Sequence, residues 1–273
     1  MKISVVTISY NQSRFLEKAI QSVLAQDYKN YEYIIVDPGS TDGSRSIIEK
    51  KHSAFSKIIF EKDKGPADGL NKGFGAATGQ IFYYLNSDDM VLPGAFTKAS
   101  EHFKRFREDG VIYGHGLMID ENDIVKRRIF SRQFRLESSY RNCSVVQQST
   151  FINRSAFESA GWFNTLNKTC WDFELLVDII LAGYKIKRLP DCLGAFRLYG
   201  ESISGSGRLN YTYEKDCTRI AEKILGRPTM RLDELRCVLD NIVSRFREPQ
   251  FVFKTITDML FPHRFSNRSF LTR

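Results

Sequence analysis

No run of apolar residues in the 273-residue chain approaches the ~18 needed to cross a bilayer, and the opening MKISVVTISYN turns polar too early for a secretory signal. A cytoplasmic protein is therefore expected. Cysteine is scarce: Cys143, Cys170, Cys192, Cys217 and Cys237 are odd in number, widely spaced and without a CxxC pair, which argues against a zinc site or a disulfide framework. They read as buried thiols. No GxGxxG follows the first apolar run, and Gly73-Phe74-Gly75-Ala76-Ala77-Thr78-Gly79 has neither the spacing nor the position of a dinucleotide loop. GxxxxGK[ST] is missing too, so redox and P-loop readings lose their main support. Acidic residues are outnumbered, 32 against 40 basic, and the net charge of +8 points to an anionic partner. Nucleic acid is not expected, because the basic runs lack interleaved aromatic platforms and no recognition motif occurs. The densest basic run, Lys126, Arg127, Arg128, Arg132, Arg135 and Arg141 against Glu137 alone, reads first as a solvated face.

What is present is an alternation of periods. Ile3, Val5, Val6 and Ile8 form a β-rich run, and Phe15, Leu16, Ala19, Ile20, Val23 and Leu24 follow at helical spacing. Tyr33-Ile34-Ile35-Val36 is a second strand, after which Thr41 or Asp42 can cap a helix through Ile47-Ile48. Ile58-Ile59-Phe60 and Ile81 to Leu85 add two more, with a Gly-rich helix from Ala67 to Ala77 between them. The first ninety residues thus read β-α-β-α-β-α-β, the pattern of an α/β, mainly parallel sheet flanked by helices. Ligands of such sheets bind at the carboxyl ends of the strands, where Asp37 and Asn86-Ser87-Asp88-Asp89 fall. A helix from Pro93 to about Arg107, a turn at Glu121-Asn122-Asp123 and a helix from Trp171 to Ala182 closed by Gly183 follow. Beyond the Ser/Gly run at 202–207 the chain becomes helical and basic, with helices at Tyr211 to Leu225, Leu232 to Phe246 and Phe251 to Phe261, so a boundary is placed near 205.

Two adjacent carboxylates after a buried strand either bind a cation, cap the next segment, or repel each other into raised pKa values. Mg²⁺ or Mn²⁺ would suit Asp88 and Asp89, since these ions take one or two carboxylates and complete their shell with phosphates and water. Taken alone, the pair divides evenly between a metal site and a cap before Pro93. Asp37, in VDPGSTDGS, offers an acceptor to a nucleobase or ribose, or else forms a simple Asx-turn.

Four segments in order, ISVVTISYNQSRFLEKAIQSVLAQDYKNYEYIIVDPGSTDGS, EKDKGPADGLNKGFGAATGQIFYYLNSDD, QQSTFINRSAFESAGWF and WDFELLVDIILAGYKIKRLP, resemble family 2 glycosyltransferases of the GT-A fold. The resemblance spans residues 3 to about 205. It implies a GT-A, Rossmann-like domain at 1–205, with a nucleotide-binding half at 1–90 and an acceptor-side half at 91–205, and a basic helical extension at 206–273. It implies that Thr7, Ser9, Tyr10 and Asp37 line the nucleotide pocket, with Asp63, Asp68, Asn71 and Lys72 near the ribose, diphosphate or donor sugar. Asn86, Ser87 and Asp88 should face the donor, with Asp88 the principal metal ligand. Asn86 stands where the family's aspartate-any-aspartate motif has its first acid, and Asp89 follows instead. Asp172 is the implied catalytic base and Glu174 the runner-up, though Asp172 alone reads as a helix N-terminal acid. Gln148 is similar to a glutamine that touches donor or acceptor sugar, or else forms a buried hydrogen bond. Tyr199 stands at about the place of a metal- or phosphate-binding histidine, with Arg197 as a substitute phosphate contact.

The implied activity is inverting transfer from a nucleotide-diphosphate sugar, by default a UDP-sugar, to a saccharide or lipid-linked saccharide, in cell-surface polysaccharide or glycan synthesis, with a divalent cation. A non-catalytic nucleotide-sugar binder and a sugar-phosphate nucleotidyltransferase are the rival readings. The basic tail suggests peripheral contact with an anionic membrane; packing on the catalytic domain or a second subunit is the alternative.

Overall fold

The computed structural model describes residues 1–136, 143–202 and 209–260. Glu137 and Arg141 of the basic run, the boundary near 205, Arg208 and tail residues 261–273 with Phe261, Arg264, Arg268 and Arg273 lie outside the described residues.

The parallel core forms as the periodicity predicts. β1 (Ile3–Ile8), α1 (Ser13–Leu24), β2 (Tyr31–Val36), α2 (Ser44–Lys50), β3 (Lys57–Ile59), α3 (Pro66–Gly75) and β4 (Ile81–Asn86) follow in order. β1 lies between β2 and β4 and is parallel to both, with Ile8 level with Val36 and Asn86, while β3 extends the sheet beyond β2. Every residue of β1 from Ile3 to Thr7 is fully buried, because helices cover both faces. Val6, Tyr84 and Phe82 look toward α3, while Val5, Tyr83 and Ile81 look toward Leu16 and Ile20 of α1. Gly65 holds φ +127° ahead of α3, a conformation open to glycine, and Pro66 then opens the helix without needing a backbone partner.

The second half closes the sheet with non-local pairings. After β5 (Met90–Val91) and α4 (Ala95–Arg105) come the long β6 (Asp109–Ile119), β7 (Val125–Ile129), β8 (Thr150–Asn153), α5 (Arg154–Ser159), α6 (Trp171–Leu181) and β9 (Lys185–Arg197). The nine strands run β3-β2-β1-β4-β8-β6-β9-β5, with β7 paired to β6, so a parallel core meets antiparallel partners at β8. The sheet is mixed and flanked by helices. α7 (Asn210–Leu225), α8 (Arg231–Arg247) and α9 (Pro249–Leu260) follow, α7 against α6 and α9 against β7.

Candidate active site

The chain steps outward from β1 to β2 to β3 and then returns to the other side of β1 for β4. A crevice opens where strand order reverses, at the carboxyl ends of β1 and β4. A cleft of about 990 Å³ occupies that place, lined among others by Tyr10, Asp63, Asn86, Ser87, Asp88, Asp89, Gln148 and Asp172.

At the β1–β2 end, Asp37 Oδ1 accepts from the backbone N–H of Gly39 (3.0 Å) and Ser40 (2.8 Å) and from Arg45 Nε (3.1 Å). Its Oδ2 and the Oγ of neighbouring Ser9 are buried and without a hydrogen-bond partner among the described residues. Native proteins rarely leave such atoms unmatched, and both lie behind Pro38 and Gly39 of the cleft lining without lining it themselves. Tyr10 stands out from the strand end, 62% exposed. Asp63 accepts from Gly65 N–H at 2.9 Å; burial, helped by Asp68 and Asp37 and opposed by that hydrogen bond and Lys72, raises its pKa. Four sequence candidates do not line the cleft and are held by neighbouring groups instead. Thr7 hydrogen-bonds the Tyr33 hydroxyl at 3.0 Å, Asn71 clasps both the N–H and C=O of Phe163, Asp68 accepts from Lys64 N–H at 2.9 Å, and Lys72 donates to the Lys62 carbonyl.

The adjacent acids after β4 have different surroundings. Asp88 lines the cleft, and its Oδ2 accepts from the Tyr199 hydroxyl at 3.1 Å, which in turn accepts from Gln12 Nε2 at 3.0 Å. Burial raises its pKa against the Tyr199 hydrogen bond and the charge of Arg197. Asp89, 2% exposed, has both oxygens engaged: Oδ1 by Arg197 N–H (2.9 Å), Oδ2 by Gln148 Nε2 (2.7 Å) and Asn86 Nδ2 (3.2 Å). Burial, then the nearby Asp88 charge, raises Asp89 strongly. Arg197 does not reach the cleft as a phosphate contact. Its side chain is fully buried against the Phe15 ring, donating to the carbonyls of Asp88 and Asp120 at 2.7 Å each, and so fixes the acidic loop from behind.

The described residues contain no cluster of three or more His, Cys, Asp or Glu side chains suited to a metal. The residues present fit a hard cation held by one carboxylate, Asp88, with phosphate and water supplying the other ligands.

Across the cleft, α6 begins at Trp171 and carries Asp172 in its first turn. Asp172 receives backbone N–H groups of its own turn, and no side chain pairs with it among the described residues; burial raises its pKa. The Trp171 indole N–H beside it is also buried and has no hydrogen-bond partner among the described residues. Glu174 lies two residues further along the same first turn, points away from Asp172 and does not line the cleft. Burial would raise it, but hydrogen bonds from Arg219 and Lys223, with Asn164 and Asn167, hold it down at about 2. Sequence reasoning missed Gln12 and the Trp171 indole, which carry no motif. It singled out Tyr199 by position without its bond to Asp88.

A parallel-core sheet with an acidic crevice at its switch point is the architecture of a GT-A glycosyltransferase. The chain belongs to glycosyl transferase family 2, whose model matches residues 4–161. It is 42% identical over 126 residues to an uncharacterised glycosyltransferase of Nostoc sp., a match covering 45% of this chain and 39% of that longer protein. To the Escherichia coli UDP-Glc:alpha-D-GlcNAc-diphosphoundecaprenol beta-1,3-glucosyltransferase WfaP it is 26% identical over 209 residues, 75% of this chain and 80% of that one. The structure of S. aureus TarS 1–349 in complex with UDP-GlcNAc matches with a TM-score of 0.67 at 17% identity, over 90% of this chain and 73% of that one. At that identity the likeness is one of fold.

Proposed function

We propose that the chain is an inverting glycosyltransferase moving a sugar from a UDP-sugar to a hydroxyl of a lipid-linked saccharide. The observation that carries this reading is one cleft holding both Asp88, beside the switch point, and Asp172, a raised carboxylate without a side-chain partner among the described residues. The similar WfaP, by its name, uses UDP-Glc on a diphosphoundecaprenol-linked sugar, and TarS was solved with UDP-GlcNAc.

In this reading the buried acceptors Asp37 Oδ2 and Ser9 Oγ take hydrogen bonds from the base and ribose, and Asp63 lies toward the donor. Asp88 would hold a divalent cation, which when bound would offset negative charge on the departing diphosphate. Tyr199 fixes one Asp88 oxygen, leaving the other for that task. Asp172 takes the acceptor hydroxyl proton as the oxygen bonds to the anomeric carbon and the bond to the diphosphate breaks. Positioned bases of this kind contribute about 10²–10⁴ in rate.

A panel of nucleotide sugars with Mn²⁺, read by mass spectrometry with and without a lipid-linked saccharide, tests the proposal. Slow nucleoside-diphosphate release and faster acceptor-dependent transfer are expected. Thermal stabilisation without turnover for every donor would instead make the chain a nucleotide-sugar binder.

A further inference from the structure

The last two described helices are attached by one face and carry their aliphatic side chains on the other. On α8, Asp233 and Cys237 are buried, Cys237 against Ala221 of α7. Leu232, Leu235, Leu239, Ile242 and Phe246 recur at helical spacing on the opposite side and are 46–79% exposed. On α9, Asp258 is buried in an ion pair with Arg128, and Phe251 stacks on Phe130 at 5.0 Å. Phe253, Ile256 and Leu260 face away, 50–69% exposed. A soluble surface rarely shows so continuous an apolar stripe without a partner.

The rim of this face selects the partner. The acids Asp233, Glu248 and Asp258 are turned inward onto Arg227, Arg188 and Arg128. Asp240 lies 4.0 Å from Arg236. Exposed Arg231 and Arg247 flank the stripe on α8 and have no acidic partner within 4.0 Å among the described residues, so the charge these two present beside it is positive. Pairing this face with the same face of a second copy would oppose like charges, whereas anionic lipid headgroups complement them.

We propose that the α8–α9 face rests on an anionic bilayer, its aliphatic stripe in the headgroup–acyl boundary and Arg231 and Arg247 on lipid phosphates. No described helix is long and apolar enough to cross a membrane, so the contact lies in the plane of the interface. The helix that bears part of this face lies close to the cleft, since the inner side of α9 packs on β7 and Ile129, the last residue of β7, lines the cleft. That places the catalytic opening near the surface where a lipid-linked acceptor would be carried. The docking argument itself needs neither donor nor acceptor.

The test is co-sedimentation of the full chain with phosphatidylcholine vesicles, pure or containing about one-third phosphatidylglycerol. Strong binding is expected on the anionic vesicles, weakening as salt is raised. Leu239→Ser with Phe246→Ser should lower it at least about tenfold, and each of Arg231→Gln and Arg247→Gln about fivefold. These positions are exposed, and an unchanged melting temperature verifies folding. Equal binding to neutral vesicles, or binding indifferent to all four substitutions, overturns the proposal. So does a concentration-dependent dimer that the Leu239/Phe246 double variant abolishes while the parent ignores vesicles. Nucleotide-sugar turnover without vesicles reports separately on the glycosyltransferase reading.

Discussion

The phenolic hydroxyl of Tyr199 donates to Asp88 Oδ2 across 3.1 Å, joining the segment after β9 to the acid after β4. Tyr199→Phe removes that donor while keeping the ring contact with Phe15 at 4.9 Å between centroids. A hydrogen bond to a charged group contributes about 1.5–3 kcal/mol, so turnover at fixed Mn²⁺ should fall roughly tenfold with little change in melting temperature. A Mn²⁺ titration of donor turnover checks this, and an unchanged curve would release Tyr199 from the role.

Asp88 and Asp89 should separate cleanly on mutation. Asp88→Ala is expected to abolish metal-dependent turnover and leave the fold intact. Asp89→Ala strands the N–H of Arg197 and the amides of Gln148 and Asn86, so it should cost about 2–4 kcal/mol in urea unfolding. The reverse pattern would mean that Asp89 is the ligand and Asp88 the support.

Asp172→Asn should preserve donor binding, lower transfer by about 10²–10⁴ and raise stability at neutral pH. The sign follows from the raised pKa: the folded state holds the proton more tightly than the unfolded chain, whose ordinary value is 3.8. Ionisation therefore costs stability as pH climbs from that value through the higher folded one. The neutral amide escapes the cost, so the melting-temperature gap should widen over that interval and close at lower pH. Transfer by the parent enzyme should rise with pH through the same folded value. Melting curves and pH–rate profiles read the two effects independently.

Gly194→Ala tests how closely the second half of the sheet is packed beneath the site. An added Cβ would lie 2.1 Å from the Gln148 carbonyl oxygen, a backbone atom that cannot step aside. The strain should cost about 1–3 kcal/mol and pull Gln148 from Asp89. Loss of transfer with a lowered urea midpoint is expected; wild-type behaviour in both would show that the loop adapts freely.

The parallel half of the molecule was legible because its strands are local βα units whose periods change within a dozen residues. Helix limits at Trp171–Leu181 and Arg231–Arg247 fall within a residue or two of those read from spacing. The thirteen-residue β9 was not legible as a strand: Pro190 interrupts KIKRLPDCLGAFR, and its partner β6 lies far back in the sequence with a shifted register. Site legibility divided in the same way. Acids at strand ends declared themselves, whereas the Arg197 support and the Glu174 ion pairs depend on contacts across 109 and 45 residues that no local pattern encodes.

Glu174 also determines how the tail can be studied. Its buried carboxylate is neutralised by Arg219 and Lys223 of α7, and it sits two residues after Asp172 on the same helix. Cutting the chain before α7 would strand that negative charge in the interior, a loss of about 3–5 kcal/mol at the foot of the proposed base. A tail-less protein would then be inactive through a collapsed α6 whatever the tail normally touches, so point substitutions on the outer stripe, and not deletion, can distinguish anchorage from scaffold.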